Sequence, residues 1–472
     1  MLKGLSWHEE APTLADDNTT QCWLFDDLAK RPVVVRFDQE RGSSDGGAVL
    51  LGAADRRLGL SEALAKCLRD DRVPERVVHE ILDLVRQRVY GIACGYPDGN
   101  DAARLSSDPV HKLLVGRSPL DGEDLASQPT LSRFENGAGR GELFRMGEAL
   151  AERVIERHRR RRRGRARVVT IDLDQTDDPA HGEQQLALFN GYYGEWCYLP
   201  LLGFVSFDEE ADQYLVAALL RPGNSPDKKG SLGVLSRLLP RLRKAFPKAR
   251  FRVRLDAGFA APEVFDFLDE QGDVEYAVAM GKNPILIRRA GKHMARARRL
   301  SKASGQTEHV YAETRYATKS WPRKRRVIIK AEVTRHPGRD PRDNPRFVVT
   351  NMAQSPRWAY EKFYCQRGEI ENRIKELHHG LEIDRTSCSR FLANQLRVLL
   401  TAAAYVLMQE LRLLAARTSL ARAQVSTLRE RLLKIGARLI GSVRRLLVHL
   451  PASYPFLVPW ARIATRLGAS SA

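Results

Sequence analysis

Asp174, Asp256 and Glu371 are the residues of this 472-residue chain whose types and settings could do chemistry. Asp174 closes the apolar run Val168-Val169-Thr170-Ile171-Asp172-Leu173, and Asp256 closes Phe251-Arg252-Val253-Arg254-Leu255. Glu371 lies in a helical stretch running from Tyr364 to His378. Two strand-end aspartates and a helical glutamate can hold hard divalent cations such as Mg²⁺, which take oxygen ligands and keep positions open for water and phosphate. Two such ions about 4 Å apart stabilise both the attacking and the leaving oxygen of an in-line displacement. The expectation is a phosphodiester-processing enzyme with two Mg²⁺ ions per site, Mn²⁺ being able to substitute, and with these three acids as catalytic metal ligands.

The third acid is chosen by geometry. At 100° per residue, Tyr364, Arg367, Glu371, Lys375 and His378 fall at offsets of 0, 3, 7, 11 and 14 and share one helix face, whereas Glu369 points away from Arg367. A solvated amphipathic helix with an i,i+4 pair between Glu371 and Lys375 would show the same pattern. The tyrosine and arginine on the stripe, with the two aspartates upstream, favour the chemical reading. Arg367 could grip a phosphate through its bidentate fork and Tyr364 through its hydroxyl, the alternative being packing against the strand layer. Asp172 and Asp174 share a strand face, so both could approach a metal, and Asp174 is preferred because it ends the strand. Asp177 and Asp178 fit turn hydrogen bonds.

The elements that must position these groups alternate. Val168 to Leu173, Trp196 to Val205, Tyr214 to Leu220, Phe251 to Leu255 and Tyr276 to Met280 read as strands, with helices over Ser231 to Phe246 and Pro262 to Glu270. This is the element order of an α/β, ribonuclease-H-like catalytic core, expected over residues 158–282 and 346–393. Residues 283–345 interrupt it with basic, strand-like pieces and read as an inserted β-rich subdomain. Residues 1–45 read as an irregular N-terminal arm and 46–157 as an α-helical DNA-binding region. There Ser127 could cap a short helix carrying Gln128, Thr130 and Arg133, side chains suited to base edges or phosphates, although an ordinary connector helix has the same composition. Residues 394–472 read as a helical C-terminal region that finishes the core or mediates assembly.

Lys and Arg number 77 against 58 acids, a net charge of +19 that favours a polyanionic partner. The longest apolar stretch, Val398 to Met408, spans 11 residues, short of the ~20 that cross a bilayer. No membrane is expected as partner. The N-terminus lacks an apolar core of signal-peptide length, so a cytoplasmic, nucleoid-associated protein is expected. Six scattered cysteines without a Cys-x-x-Cys pair disfavour a zinc site and a disulfide framework. No phosphate-loop motif is present, so no nucleotide cofactor is implied. The run Arg159, Arg160, Arg161, Arg162 and Arg163 stands just before the first catalytic strand, where it could contact DNA backbone or serve as a solvated linker. Trp321 sits among the cations of Lys319 to Arg326, a setting for base stacking or for the core of a small subdomain.

Tyr364, Arg367 and Glu371, spaced Y-x-x-R-x-x-x-E, resemble the signature around the catalytic glutamate of DDE transposases of bacterial insertion sequences. The stretch from Asp172 through Asp174 and Thr176 to His181-Gly182 resembles the first-aspartate block of the insertion-sequence family numbered 1380, and Leu255-Asp256-Ala257-Gly258-Phe259-Ala260 resembles its second block. The likeness runs from about Gly46 to about Leu411. It implies a cut-and-paste transposase that binds the terminal inverted repeats of its own element as a homodimer on double-stranded DNA, cleaves there, and joins the freed 3′-hydroxyl to target DNA. It also implies the inserted subdomain, with Trp321 receiving a flipped base, and a hairpin at the excised end. One position departs: the related signature places a lysine seven residues after the glutamate, where this chain has His378. Lys375, one turn earlier, is the nearest substitute, and which of the two touches the scissile phosphate stays open. Two other readings compete: a catalytically inactive, transposase-derived DNA-binding protein, and a host nuclease or resolvase that cuts without joining strands.

Overall fold

The computed structural model describes residues 22–470. Strands β1 (Val168–Gln175) and β2 (Leu201–Phe207) are buried almost throughout, β2 as a mainly apolar run and β1 with Thr170, Asp172 and Asp174 alternating with Val169, Ile171 and Leu173, as strands covered on both faces must be. With β3 (Tyr214–Leu219), β4 (Arg250–Leu255), β5 (Val274–Met280), β6 (Glu308–Tyr316), β7 (Arg325–Thr334) and β8 (Arg346–Thr350) they form one mixed sheet in the order β6-β7-β8-β5-β4-β1-β2-β3. β1, β4 and β5 run parallel, and every other neighbouring pair is antiparallel. The β4/β1 register sets Arg254 opposite Asp172, so Asp256 and Asp174 stand level at the carboxyl ends of adjacent strands.

The segment 283–345 departs from the expected separate β-rich subdomain. It opens with a 21-residue helix, Pro284–Ser304, and its strands β6 and β7 join the main sheet through β8. The reason lies in β8: it offers a second edge beyond β5, and Val327 and Ile329 fill the same apolar core as β5 and β8. The strand-like pieces of the segment correspond to β6 and β7, whereas the charges of the helix mask its buried row of Leu286, Ala290, Met294 and Ala297.

Helix Phe391–Leu414 is buried nearly all round. By length and composition it could cross a bilayer, yet 83% of its most apolar window lies inside the protein. It covers the free edge of β3, where Gln395 accepts from Leu220 N at 2.7 Å and Gln409 from Leu215 N at 3.2 Å. The two glutamines thereby satisfy backbone groups that an open edge would present. Beyond it the C-terminal region is not wholly helical: Ala437–Gly441 and Leu446–His449 form a hairpin that pairs with Gly42–Ser43. The described part of the N-terminal arm is likewise ordered, with a hairpin of Cys22–Phe25 and Val33–Arg36; residues 1–21 lie outside the described residues. Gly47 is required by close approach, since a Cβ there would collide with the Leu432 carbonyl.

Candidate active site

Asp174 is at the end of β1 and Asp256 caps the turn after β4, accepting from Gly258 N at 3.0 Å. One guanidinium nitrogen, Arg367 Nη2, lies 2.7 Å from Asp174 Oδ2 and 3.8 Å from Asp256 Oδ2. Burial lifts the Asp174 carboxyl to about 7; Arg367 opposes the rise, and the nearby Asp256 and Glu371 charges add to it. Burial also raises Asp256, against Arg367. The three acids therefore share one electrostatic site, with Glu371 on its exposed side.

The glutamate-bearing stretch is not one uniform α-helix. Ala359–Phe363 is a π-turn, Tyr364–Arg367 a 3₁₀ turn, and the α-helix begins at Gly368. The 100° count holds only from Gly368 onward, yet Tyr364 and Arg367 reach the acids because the tighter turn swings them there. Tyr364 is half-buried beside Tyr360, close enough to Arg367 and Asp256 to feel both. The helix is anchored below by buried Glu376, which accepts from Tyr405 Oη at 2.7 Å and pairs with Arg412 at 2.5 Å. His378 does not stand free: its Nε2 is 2.8 Å from Thr176 Oγ1 and its Nδ1 3.2 Å from Asp384. It fastens the glutamate helix to the segment just past Asp174. Lys375 is exposed and has no ion-pair or hydrogen-bond partner among the described residues.

Asp172 is fully buried, and Arg254 grips both its oxygens at 2.7 Å while Gln213 adds a bond at 2.8 Å. These bonds commit Asp172 to a buried ion pair with Arg254. Sequence reasoning overlooked Asp227. Gln175 Nε2 donates to it at 2.7 Å, and Arg221 holds the Gln175 amide and the carbonyls of Asp227 and Lys229. Asp227 thus faces Asp256, whose rise it reinforces. The signal was a lone Asp in a Pro-Asp-Lys-Lys-Gly loop, which has no strand or helix to mark it.

Other expected site residues are not brought here. Trp321 is 7% exposed and packs on Phe265 and Tyr316 with ring centroids 4.9 and 5.7 Å apart, so its indole is a core group without a free face for a base. The arginine run ends helix Arg140–Arg162 with Arg163 as its C-cap, and four of the five are paired: Arg159 and Arg160 with Glu156, Arg161 with Glu210, and Arg162 with Asp208 and Glu210. Asp208 bonds to Val168 N, so this end of β1 is the one remote from Asp174, about 20 Å away at ~3.3 Å per residue. Gln128, Thr130 and Arg133 lie on helix Gln128–Gly137, whose Leu131 and Glu135 face inward; Ser127 makes no capping bond there. His181 is exposed.

A second cluster, Asp45, Cys94 and His111, brings its ligand atoms within 4.8 Å of one another. His111 and Lys434 take the two Asp45 oxygens at 2.9 and 2.8 Å, so an ammonium already holds the place of a cation.

A solved piggyBac transposase synaptic complex with hairpin DNA is similar at 9% identity and a TM-score of 0.38, over 78% of this chain and 75% of that one. No curated protein sequence matches the chain. The family model described as Transposase DDE domain group 1 matches residues 25–471. The chain, with Asp174 and Asp256 beside Arg367 and the Glu371 charge acting on Asp174, belongs to the group 1 transposase DDE domain family.

Proposed function

We propose that the protein is a cut-and-paste DNA transposase of the insertion-sequence type resembling the family numbered 1380. It would cut at the terminal inverted repeats of its own element and join the freed ends to target DNA. The observation that carries this is the convergence of Asp174 and Asp256, level on adjacent parallel strands, with Glu371 and with Arg367 spanning the aspartates. The strand order β3-β2-β1-β4-β5, antiparallel then parallel, supports a ribonuclease-H-like core.

The donors fit a divalent cation: all are carboxylate oxygens, and buried Arg367 Nε has no hydrogen-bond partner among the described residues, as a donor awaiting a phosphate oxygen would. Asp174, Asp256 and Glu371 would hold Mg²⁺ or Mn²⁺, which when bound supplies charge stabilisation to the attacking and leaving oxygens. Arg367 would turn from the aspartates to the scissile phosphate. Tyr364 would orient it through its hydroxyl, and His378 would keep the Asp174 segment and the glutamate helix in register. In the first step a water oxygen bonds to phosphorus, the P–O3′ bond breaks, and the 3′-oxygen leaves with a proton. In the second, that 3′-hydroxyl attacks a target phosphodiester and displaces its 3′-oxygen. Joining two ends calls for two copies, so a homodimer on DNA in the cytoplasm completes the reading.

The test is purified protein with a duplex carrying one element end and a target plasmid, with Mg²⁺ or EDTA. Metal-dependent cutting followed by joining is expected. Cutting without joining would favour a nuclease, and binding without cutting an inactive DNA-binding descendant.

A further inference from the structure

The span from Tyr276 to Thr307 contains eight Lys and Arg and no Asp or Glu, so a large part of the chain's excess of +19 is concentrated in one short stretch. Most of it is helix Pro284–Ser304, about 30 Å long. Leu286, Ala290, Met294, Ala297 and Ser301 are buried beneath it. On the opposite side Arg288, Lys292, Arg296, Arg299 and Lys302 follow spacings of four, four, three and three, and all five are exposed. At 100° per residue they lie within one stripe about 120° wide. None of the five has an ion-pair or hydrogen-bond partner among the described residues. The cations off the stripe behave differently: Arg289 bonds to Thr314 and Arg315 O, and Arg298 to Asp343. Five cations held along one line without counter-charge repel one another, so an external polyanion would relieve them.

Placement adds to composition. The helix starts four residues beyond Met280, at the carboxyl end of β5, the same sheet edge that bears Asp174 and Asp256. With strands ~4.8 Å apart, its first turn lies roughly 10–15 Å from the acids. The arginine run before β1 has the reverse properties, paired to carboxylates and at the far end of the strand. We infer that the exposed face of helix Pro284–Ser304 is a duplex-DNA backbone surface that lays the DNA flanking the cleavage point along the sheet edge toward the active site. This rests on the transposase reading above. An anionic membrane fits less well, because the helix's apolar row is spent on the core and its exposed Ile285, Ile287 and Leu300 are spread round the helix.

The experiment uses the full chain and the quadruple variant Arg288→Gln/Lys292→Gln/Arg296→Gln/Arg299→Gln, with anisotropy of a labelled random-sequence duplex over a NaCl titration. Each lost phosphate contact removes about 0.9 from the slope of log K against log salt, so the slope should flatten by about three to four, with affinity down at least ~tenfold at low salt. The matching Arg→Lys variant at 288, 296 and 299 should keep the wild-type slope, and Arg159→Gln/Arg160→Gln should leave it unchanged. A folded quadruple variant with wild-type slope and affinity would overturn the inference while leaving the transposase reading intact, provided wild type still cuts its element end. Wild type that binds no duplex would overturn both. Loss of binding to phosphatidylserine vesicles with the duplex slope unaltered would reassign the stripe to a lipid surface and reject it.

Discussion

Replacing Asp174 or Asp256 by Asn, or Glu371 by Gln, is expected to cut the cleavage rate by about a thousandfold, some 4 kcal/mol of lost transition-state stabilisation, with duplex affinity retained. A gel cleavage assay beside a binding titration checks it; full activity of Asp174→Asn would remove that residue from the site. Asp172→Asn should behave otherwise. It leaves Arg254 buried without its partner, so stability should fall by about 3–5 kcal/mol in denaturant unfolding. Asp178 supplies a pH dependence. Burial, opposed by Thr386 and aided by Asp384 and Asp177, raises its carboxyl to about 8. The folded state holds the proton while the unfolded chain has released it, so stability is lost as pH climbs from about 4 to about 8, by up to ~1.4 kcal/mol per pH unit. Asp178→Asn should remove that decline, and melting temperatures at about pH 5 and about pH 9 should diverge for wild type but less for the variant. Should both proteins show the same divergence, Asp178 is not its source.

At the scale of elements, the geometry of the candidate site depends on loops and turns that hold strand ends together. A Cβ on Gly258 would strike the Asp227 carboxylate. Gly258→Ala is therefore expected to shift the Asp256 turn and slow cleavage about tenfold to a hundredfold, since a misplacement near 1 Å costs that much. An unaltered rate would mean that the turn absorbs the methyl and that Asp227 is a bystander. His378 and Lys375, adjacent on the glutamate helix, separate by their partners. His378→Ala breaks the bridge to Thr176 and Asp384, so rate and melting temperature should drop together, whereas Lys375→Ala should lower the rate alone. Trp321 belongs with the first kind of effect: its removal from the Phe265 and Tyr316 contacts should cost about 3–5 kcal/mol and slow every cleavage step alike. A selective loss at the second strand would restore a base-stacking role.

At the scale of the molecule, chain ends far apart in sequence are stapled together. Asp45 meets His111 from the helical region and Lys434 from the C-terminal region, and Gly42–Ser43 pairs with Ala437–Gly441. Asp45→Ala would leave buried His111 and half-buried Lys434 without their shared acceptor and is expected to destabilise the whole fold by about 3–5 kcal/mol, read as a single lowered transition in calorimetry. A separate early transition would instead show that the terminal regions unfold by themselves.

Some of this was legible in the sequence for a physical reason. Strand ends marked by an acid after an apolar run, and a glutamate spaced from an arginine and a tyrosine, are local patterns, and so Asp174, Asp256, Glu371, Arg367 and Tyr364 could be named before any coordinates. The strands β1, β3, β4 and β5 were readable as apolar or alternating stretches bounded by polar turns, whereas the single strand expected from Trp196 to Val205 divides into Glu195–Tyr198, in a small separate sheet, and β2. What only the tertiary structure decided depends on partners distant along the chain. Arg254 silences Asp172, Thr176 and Asp384 occupy His378, and Phe265 encloses Trp321. Carboxylates from Glu156, Asp208 and Glu210 pair with four of the five arginines of a run that composition alone presents as free charge, while the five cations on the exposed stripe of helix Pro284–Ser304 remain open. Sequence records which charges a chain carries, and folding determines which of them have already found a counter-charge.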